Sequence, residues 1–332
     1  MSFGIVFTGP RNAILQELEL PSPGPNQLLL RSRASLISTG TELTAFSGRF
    51  DPDSHWHSWV KYPFLPGYAT VAEIQSAGKE IRAPRTGERV VARLPHASHH
   101  LVEECEITYV SDSVSDEEAV WFALAKIAFT GLLVADLRMG ARVVVVGAGP
   151  VGQMLLRWVA MLACELIVVD RNAKRLELCQ SVGGSHLLQG GLEDKHNDVI
   201  KSLDGHHPEV IFDCTGNPST LAAALAIAAD HGMVVILGDT GFPALQHITS
   251  DVVLRGVKIA GAHDRHTRHL AQLKDERDVY KLFFRALSTQ RFSTANLITH
   301  TFKPDQAQEA YLLAESARGA TGGILFDWTR MQ

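Results

Sequence analysis

Residues 142–170 read RVVVVGAGPVGQMLLRWVAMLACELIVVD. Four consecutive valines, Val143 to Val146, predict a strand buried on both faces, as in a parallel sheet. Gly147, Gly149 and Gly152 follow in GxGxxG spacing, and an apolar series at helical period (Val151, Met154, Leu155, Val159, Leu162) comes next. A second strand over 166–169 runs into Asp170. Each glycine has its own physical reason: a tight turn, close approach of backbone to a pyrophosphate, and close packing of helix on strand. The diphosphate is expected on the amides at the helix N-terminus, where the partial positive charge lies. Asp170 is expected to accept the hydroxyls of an adenosine ribose and to repel a 2′-phosphate. The cofactor expected is therefore NAD(H), with NADP(H) disfavoured.

Outward from that stretch, the chain of 332 residues is long enough for two domains. Its 45% hydrophobic and 20% charged residues suit a globular protein. Lys and Arg number 31 against 36 acids, a net charge of −5, which leaves no basic footprint for nucleic acid or an anionic membrane. No apolar run is read as a membrane span and the N-terminus lacks the layout of a signal peptide, so a cytoplasmic protein is expected. Cys105, Cys164, Cys179 and Cys214 show no C-x-x-C spacing and read as reduced thiols.

Before residue 125, short strand signals at 5–7, 28–32, 71–74, 89–92 and 100–102 alternate with turn clusters such as PSPGPNQ at 21–27, which predicts a mostly β unit. From Ser115 a helix is expected, with acids in its first turn. Beyond the glycine turn, strands at 210–212, 233–237 and 257–260 alternate with a helix at 219–229, arguing a doubly wound parallel sheet. A long amphipathic helix is predicted over 270–287, a further helix at 305–315 and a last strand at 323–326.

With these elements in place, the chain resembles the medium-chain dehydrogenase/reductase superfamily, the zinc alcohol dehydrogenase-like fold. The resemblance rests on LISTGTE at 36–42, PGYA at 66–69, AFTG at 128–131 and DCTGNP at 213–218. It implies an α/β protein in which a GroES-like, mostly β catalytic domain (1–126 and 265–332) holds an inserted Rossmann NAD-binding domain (127–264). The wording ISTGTE and PGY is most similar to a zinc-lacking branch that includes bacteriochlorophyllide dehydrogenase-like proteins. Where the family has its catalytic zinc ligands, this chain has Thr39 for the cysteine and Tyr68 and Ala69 for the His-Glu pair. Lys126 stands where a third ligand falls. Those residue types do not build a tetrahedral zinc site, so no metal is expected. His96, His99 and His100 near Cys105 lack zinc-finger spacing and read as ordinary strand or loop histidines.

Without metal, the charge on the reacting oxygen must be managed by side chains. Thr39, Tyr68 and Lys126 occupy positions that face one point in the family, and a lysine near the phenol is expected to lower its pKa. The other reading is that Tyr68 fills the space of the lost zinc while Lys126 pairs with Glu42. Thr41 matches the family's proton-relaying hydroxyl. Carried over from the resemblance, the cofactor-contacting residues are Gly147, Gly149, Pro150, Val151, Gly152, Asp170, Arg171, Arg175, Thr215, Gly238, His263 and Thr130. The loop at 47–64 (SGRFDPDSHWHSWVKYPF) borders the substrate cleft in the family, and His55 with Trp56 and Trp59 is expected to wall it.

The function expected is a zinc-independent, NAD(H)-dependent alcohol dehydrogenase or carbonyl reductase of a small molecule. A quinone or enoyl reductase and a non-catalytic dinucleotide-binding protein are the open alternatives. The parallel sheet's last strand, at 257–260, is expected to be an exposed edge covered by its twin in a homodimer.

Overall fold

The computed structural model describes residues 1–82, 85–182, 185–317 and 319–331. Strands β1 (Ser2–Gly9), β2 (Asn12–Leu18), β3 (Gln27–Leu36), β4 (Thr70–Ala77), β5 (Arg89–Ala92), β6 (His99–Glu103) and β7 (Thr108–Tyr109) come first in the chain. Next are β8 (Arg142–Val146), β9 (Glu165–Asp170), β10 (Ser185–Gln189), β11 (Val210–Asp213), β12 (Met233–Ile236) and β13 (Lys258–Gly261). The last are β14 (Ile298–Phe302) and β15 (Gly323–Asp327). The α/β class expected from the sequence is the class observed, with a mostly β sheet unit and a parallel-sheet, Rossmann-like unit.

One compact unit comprises Met1–Arg49, His57–Ala123 and Tyr280–Gln332. Among its described residues, a seven-stranded sheet runs in the order β14-β15-β3-β4-β5-β7, with β6 also on β3, and β1 pairs with β2 as a separate antiparallel ribbon. β3 alternates buried and less buried positions, and Leu28 and Leu30 pack with Ile74, Val90 and Val102 in one apolar cluster. Tyr311, from the helix Ala307–Ser316, is wholly buried against Phe7 and Phe46.

The other unit comprises Phe50–Trp56 and Leu124–Val279. The limits expected for the Rossmann domain are 127 and 264; by their contacts, residues 124–126 with Lys126, residues 265–279 and the short segment 50–56 cluster here as well. Its six strands are all parallel, in the order β10-β9-β8-β11-β12-β13 among the described residues, so β13 is an edge. Val143, Val144 and Val145 are completely buried, as strands covered on both faces require.

Four helices carry or neighbour the candidate site residues: α1 (Thr39–Ser47), α2 (His55–Trp59), α3 (Asp116–Ala119) and α4 (Phe122–Ala135). The helix expected from Ser115 is divided into α3 and α4, α3 starting at a capping box of Ser115 and Glu118. Although no span is expected from the sequence, Asp116–Ala135 is apolar and long enough to cross a membrane by composition; 67% of its most apolar window is buried inside the protein. The long helix predicted over 270–287 does not form in one piece. Thr267–Leu270 and Asp278–Ser288 are separate helices. Between them Gln272 has φ 52°, and the Asp275 carboxylate accepts from the Arg277 amide at 2.8 Å, a local bond that competes with helix continuation. The second helix keeps the apolar period, with Val279, Tyr280, Phe283 and Leu287 buried.

Candidate functional site

The glycine turn follows β8. Gly147 has φ 95°, the left-handed region that favours glycine, and Gly149 caps helix α5 (Pro150–Ala160) with Pro150 in its first turn. A Cβ on Gly152 would overlap the Gly147 carbonyl oxygen, so this position admits only glycine without rearrangement. The Arg175 guanidinium packs 3.5 Å from where a Cβ on Gly149 would lie, and a Cβ on Gly238 would meet the Gly216 and Thr215 amides. Val151 is half-buried in the first turn of α5. Asp170 ends β9 with its carboxylate accepting from the Ala148 amide at 2.7 Å and the Asn172 amide at 2.8 Å. The acid thus ties the second strand to the glycine turn itself. Arg171 forms an ion pair with Glu193.

These residues fit a dinucleotide: a glycine turn leads from β8 into the N-terminus of α5, and a carboxylate ends the neighbouring strand. Thr215 lies one strand over, its hydroxyl donating to Asp213 at 2.6 Å. Burial pushes the Asp213 carboxyl up to about 6, and its Oδ2 lacks a hydrogen-bond partner.

Lys126, on α4, is 2% exposed, with Nζ 2.5 Å from Glu276 Oε2 and 3.9 Å from Asp264. Its carboxylate partner is therefore Glu276 and not Glu42, the partner expected if Tyr68 only fills the space of the lost zinc. Thr130, one turn on, is fully buried, and its hydroxyl bonds the Lys126 carbonyl at 3.0 Å and the Thr267 hydroxyl at 2.5 Å. His263, past the end of β13, contacts Asp264 at 3.3 Å and is largely exposed.

In the β unit, Thr39 is buried at the start of α1, and the Tyr68 hydroxyl donates to Ser38 and lies near Thr41. The expected lowering of the phenol's pKa is not observed: burial pushes it up, and the cation that opposes this is Arg93, 4.6 Å over the ring. Glu42, which follows Thr41 on α1, is buried in a network that the sequence did not reveal. It accepts from the Ser38 amide at 2.7 Å, His96 Nε2 at 3.0 Å and the Tyr311 hydroxyl at 2.5 Å. His96 Nδ1 bonds Ser35, which also accepts from Trp328 Nε1. His100 is pushed down to about 4 by burial.

His55 and Trp56, expected as a wall, are placed differently from each other. His55 is 61% exposed with Nε2 at 3.1 Å from Asp239, whereas Trp56 is only 3% exposed and is buried beside the same carboxylate. Trp56 is thus packed inside the protein and does not present the open apolar face expected of it. Trp59 is half-exposed, edge-on to Phe64.

Residues 150–275 match the family model described as zinc-binding dehydrogenase. The chain is 26% identical over 356 aligned positions to an L-threonine 3-dehydrogenase of Symbiobacterium thermophilum, covering 96% of this chain and 94% of that protein. It is 24% identical to the sorbitol dehydrogenase of Ovis aries, with the same coverage. Among solved structures, the short chain alcohol dehydrogenase of Escherichia coli CFT073 complexed with NADH superposes with a TM-score of 0.81 at 19% identity, covering 98% of this chain and 99% of that one. These likenesses are to dehydrogenases and agree with the resemblance to the medium-chain dehydrogenase/reductase superfamily. Since the matching family is described as zinc-binding, the donor set bears testing. Threonine, tyrosine, alanine and a buried lysine at positions 39, 68, 69 and 126 supply no thiolate, imidazole or carboxylate, and the lysine adds a cation. This set does not fit the zinc ion. Among the described residues, no three His, Cys, Asp or Glu side chains form a metal-binding group.

Proposed function

We propose that the protein is an NAD(H)-dependent alcohol dehydrogenase or carbonyl reductase that works without catalytic zinc. The observation that carries the reading is Lys126, a buried ammonium ion-paired to Glu276, at the position that the resemblance gives to a third zinc ligand. The dinucleotide is held by the glycine turn, the first amides of α5, Asp170, Arg171 and Arg175, with Thr215, Gly238, His263 and Thr130 toward its nicotinamide end. When bound, it supplies a hydride acceptor or donor. Tyr68 stays a neutral phenol, because burial raises its pKa, and it serves as hydrogen-bond donor to the substrate oxygen, with Thr41, Ser38 and Thr39 setting its direction.

NAD(H) is preferred over NADP(H) because a 2′-phosphate would meet the Asp170 carboxylate. Fluorescence titration with both reduced cofactors tests this: tighter NADPH binding overturns it, and Asp170→Ser is expected to narrow the gap. Metal analysis of protein purified without chelator is expected to return well under one zinc per chain; a stoichiometric, activity-linked zinc overturns the zinc-free reading. The second copy of a homodimer is proposed on the β13 edge, flanked by the exposed Ile248, Val253 and Leu254. Light scattering of Leu254→Asp, expected to be monomeric, checks it.

A further inference from the structure

A neutral phenol donates a hydrogen bond but does not take up a proton, so alcohol oxidation needs a base elsewhere. The segment Phe50–Trp56 leaves the β unit's stretch of sequence and clusters with the parallel-sheet unit. Asp51 pins it there: its amide donates to the Gly241 carbonyl at 2.7 Å, and its Oδ2 accepts from the Ala244 amide at 3.1 Å. The Ser54 hydroxyl closes the turn onto the Asp51 carbonyl at 2.6 Å. This pinning delivers His55 to Asp239, with Nε2 and Oδ2 3.1 Å apart, and buries Trp56 against the same carboxylate.

Asp239 lies in the turn after β12, on the edge of the sheet where ligands bind in open α/β folds. Its carbonyl oxygen is 2.8 Å from where a Cβ on Gly216 would sit, and the Thr215 methyl is 3.0 Å from where one on Gly147 would sit. Close backbone packing therefore connects the His55–Asp239 pair to the glycine turn. The charged groups around the imidazole are Asp239, His263 acting on Asp239 from the end of β13, and Asp51 and Asp53 of its own segment. A carboxylate bonded to one imidazole nitrogen fixes the tautomer and leaves the proton-accepting role to the other.

We propose that His55, oriented by Asp239, is the base that takes the hydroxyl proton of the alcohol and the acid that returns it to the carbonyl oxygen. The assignment rests on the dehydrogenase reading above. In oxidation, the carbon–hydrogen bond breaks and its hydride goes to NAD⁺, giving NADH. The O–H bond breaks, its electron pair forms the C=O bond, and the proton passes to the imidazole and then to water. Asp239 is a positioning residue in this scheme.

The test needs no known substrate. A nicotinamide cation, if bound beside His55, would disfavour imidazolium, whereas NADH carries no ring charge. In weakly buffered solution near neutral pH, wild-type protein is expected to release a fraction of a proton on binding NAD⁺ but not NADH. His55→Gln abolishes the release while NADH affinity stays within about twofold. Nitrogen-15 spectra of the wild-type imidazole are expected to show the proton on Nε2, and Asp239→Asn to shift the ring toward a mixture of tautomers. Release that persists in His55→Gln, or a proton on Nδ1 in the wild type, overturns the proposal. If neither cofactor binds the wild type, the dehydrogenase reading fails first and the base assignment falls with it. On an alcohol that the wild type oxidises, His55→Ala is expected to lose about 10²–10⁴ in kcat, partly recovered by added imidazole.

Discussion

Glu42 of the β unit and Asp213 of the parallel-sheet unit are both nearly sealed from solvent, at 2% and 1% exposure, yet their oxygens are treated differently. Glu42 Oε1 takes the Ser38 amide, and Oε2 takes His96 and Tyr311. Asp213 Oδ1 takes the Thr215 amide and hydroxyl, while Oδ2 takes nothing. The difference follows from position. Glu42 sits inside a closed chain that runs from Trp328 through Ser35 and His96, where each donor has an acceptor and the charge is fully solvated by protein. Asp213 ends β11 at the carboxyl edge of the sheet, where the chain turns and fewer donors are available. A closed network fixes a frame, whereas an open carboxyl at a ligand-binding edge stays sensitive to its surroundings.

Removing the filled carboxylate breaks this contrast most severely. Glu42→Ala strips three buried donors of their acceptor and is expected to cost about 3–5 kcal/mol, read as a fall in the urea midpoint at unchanged slope. Asp213 responds to pH instead. Its folded-state pKa, about 6, lies above the ordinary carboxylate value of about 3.9, so the folded protein binds more protons than the unfolded chain. The stability this group contributes is present below about pH 4 and is lost as pH rises to about 6, by roughly 3 kcal/mol. Asp213→Asn is expected to flatten that decline in urea melts at pH 4, 5, 6 and 7. An unchanged slope in the variant refutes the assignment to Asp213.

The two carboxylates also differ in how far the sequence exposes them. The parallel-sheet unit is legible because its constraints act between neighbours in the chain. Val143 to Val146 report burial on both faces, and glycine at 147 and 152 reports a positive φ and a close approach that other residues do not allow. The Glu42 network escapes such reading because its partners are 54 and 269 positions away, and neither His96 nor Tyr311 sits in a spacing that suggests the contact. The His55–Asp239 pair is half visible: His55 stands out through the composition of its loop, but its acid lies past β12, brought near by Asp51. The helix predicted over 270–287 fails for a related reason. Its apolar period is real only from Val279 onward, and an Asp275 side chain bonding its own backbone stops the earlier turns. Tyr68 shows the limit of a charge argument by position: Arg93 is the cation on its ring, and burial outweighs it.

The smallest of the effects is also the sharpest probe of the contrast. Tyr311 contributes one of the three donors to Glu42, and its ring packs edge-on to Phe7 at 4.8 Å and stacks on Phe46 at 5.3 Å. Tyr311→Phe keeps that packing and deletes only the hydroxyl, so the loss isolates one hydrogen bond to a buried charge. Such bonds are worth about 1.5–3 kcal/mol, and a value near the lower end is expected because the Ser38 amide and His96 still serve the carboxylate. Burial and the Glu42 charge hold the phenol well above its ordinary pKa, so it remains a donor and the loss is expected to be constant between about pH 6 and 9. That pH-independence is the opposite of the behaviour expected at Asp213. A loss below about 0.5 kcal/mol shows that the hydroxyl does not serve Glu42, and the carboxylate of the β unit is then as incompletely filled as its counterpart.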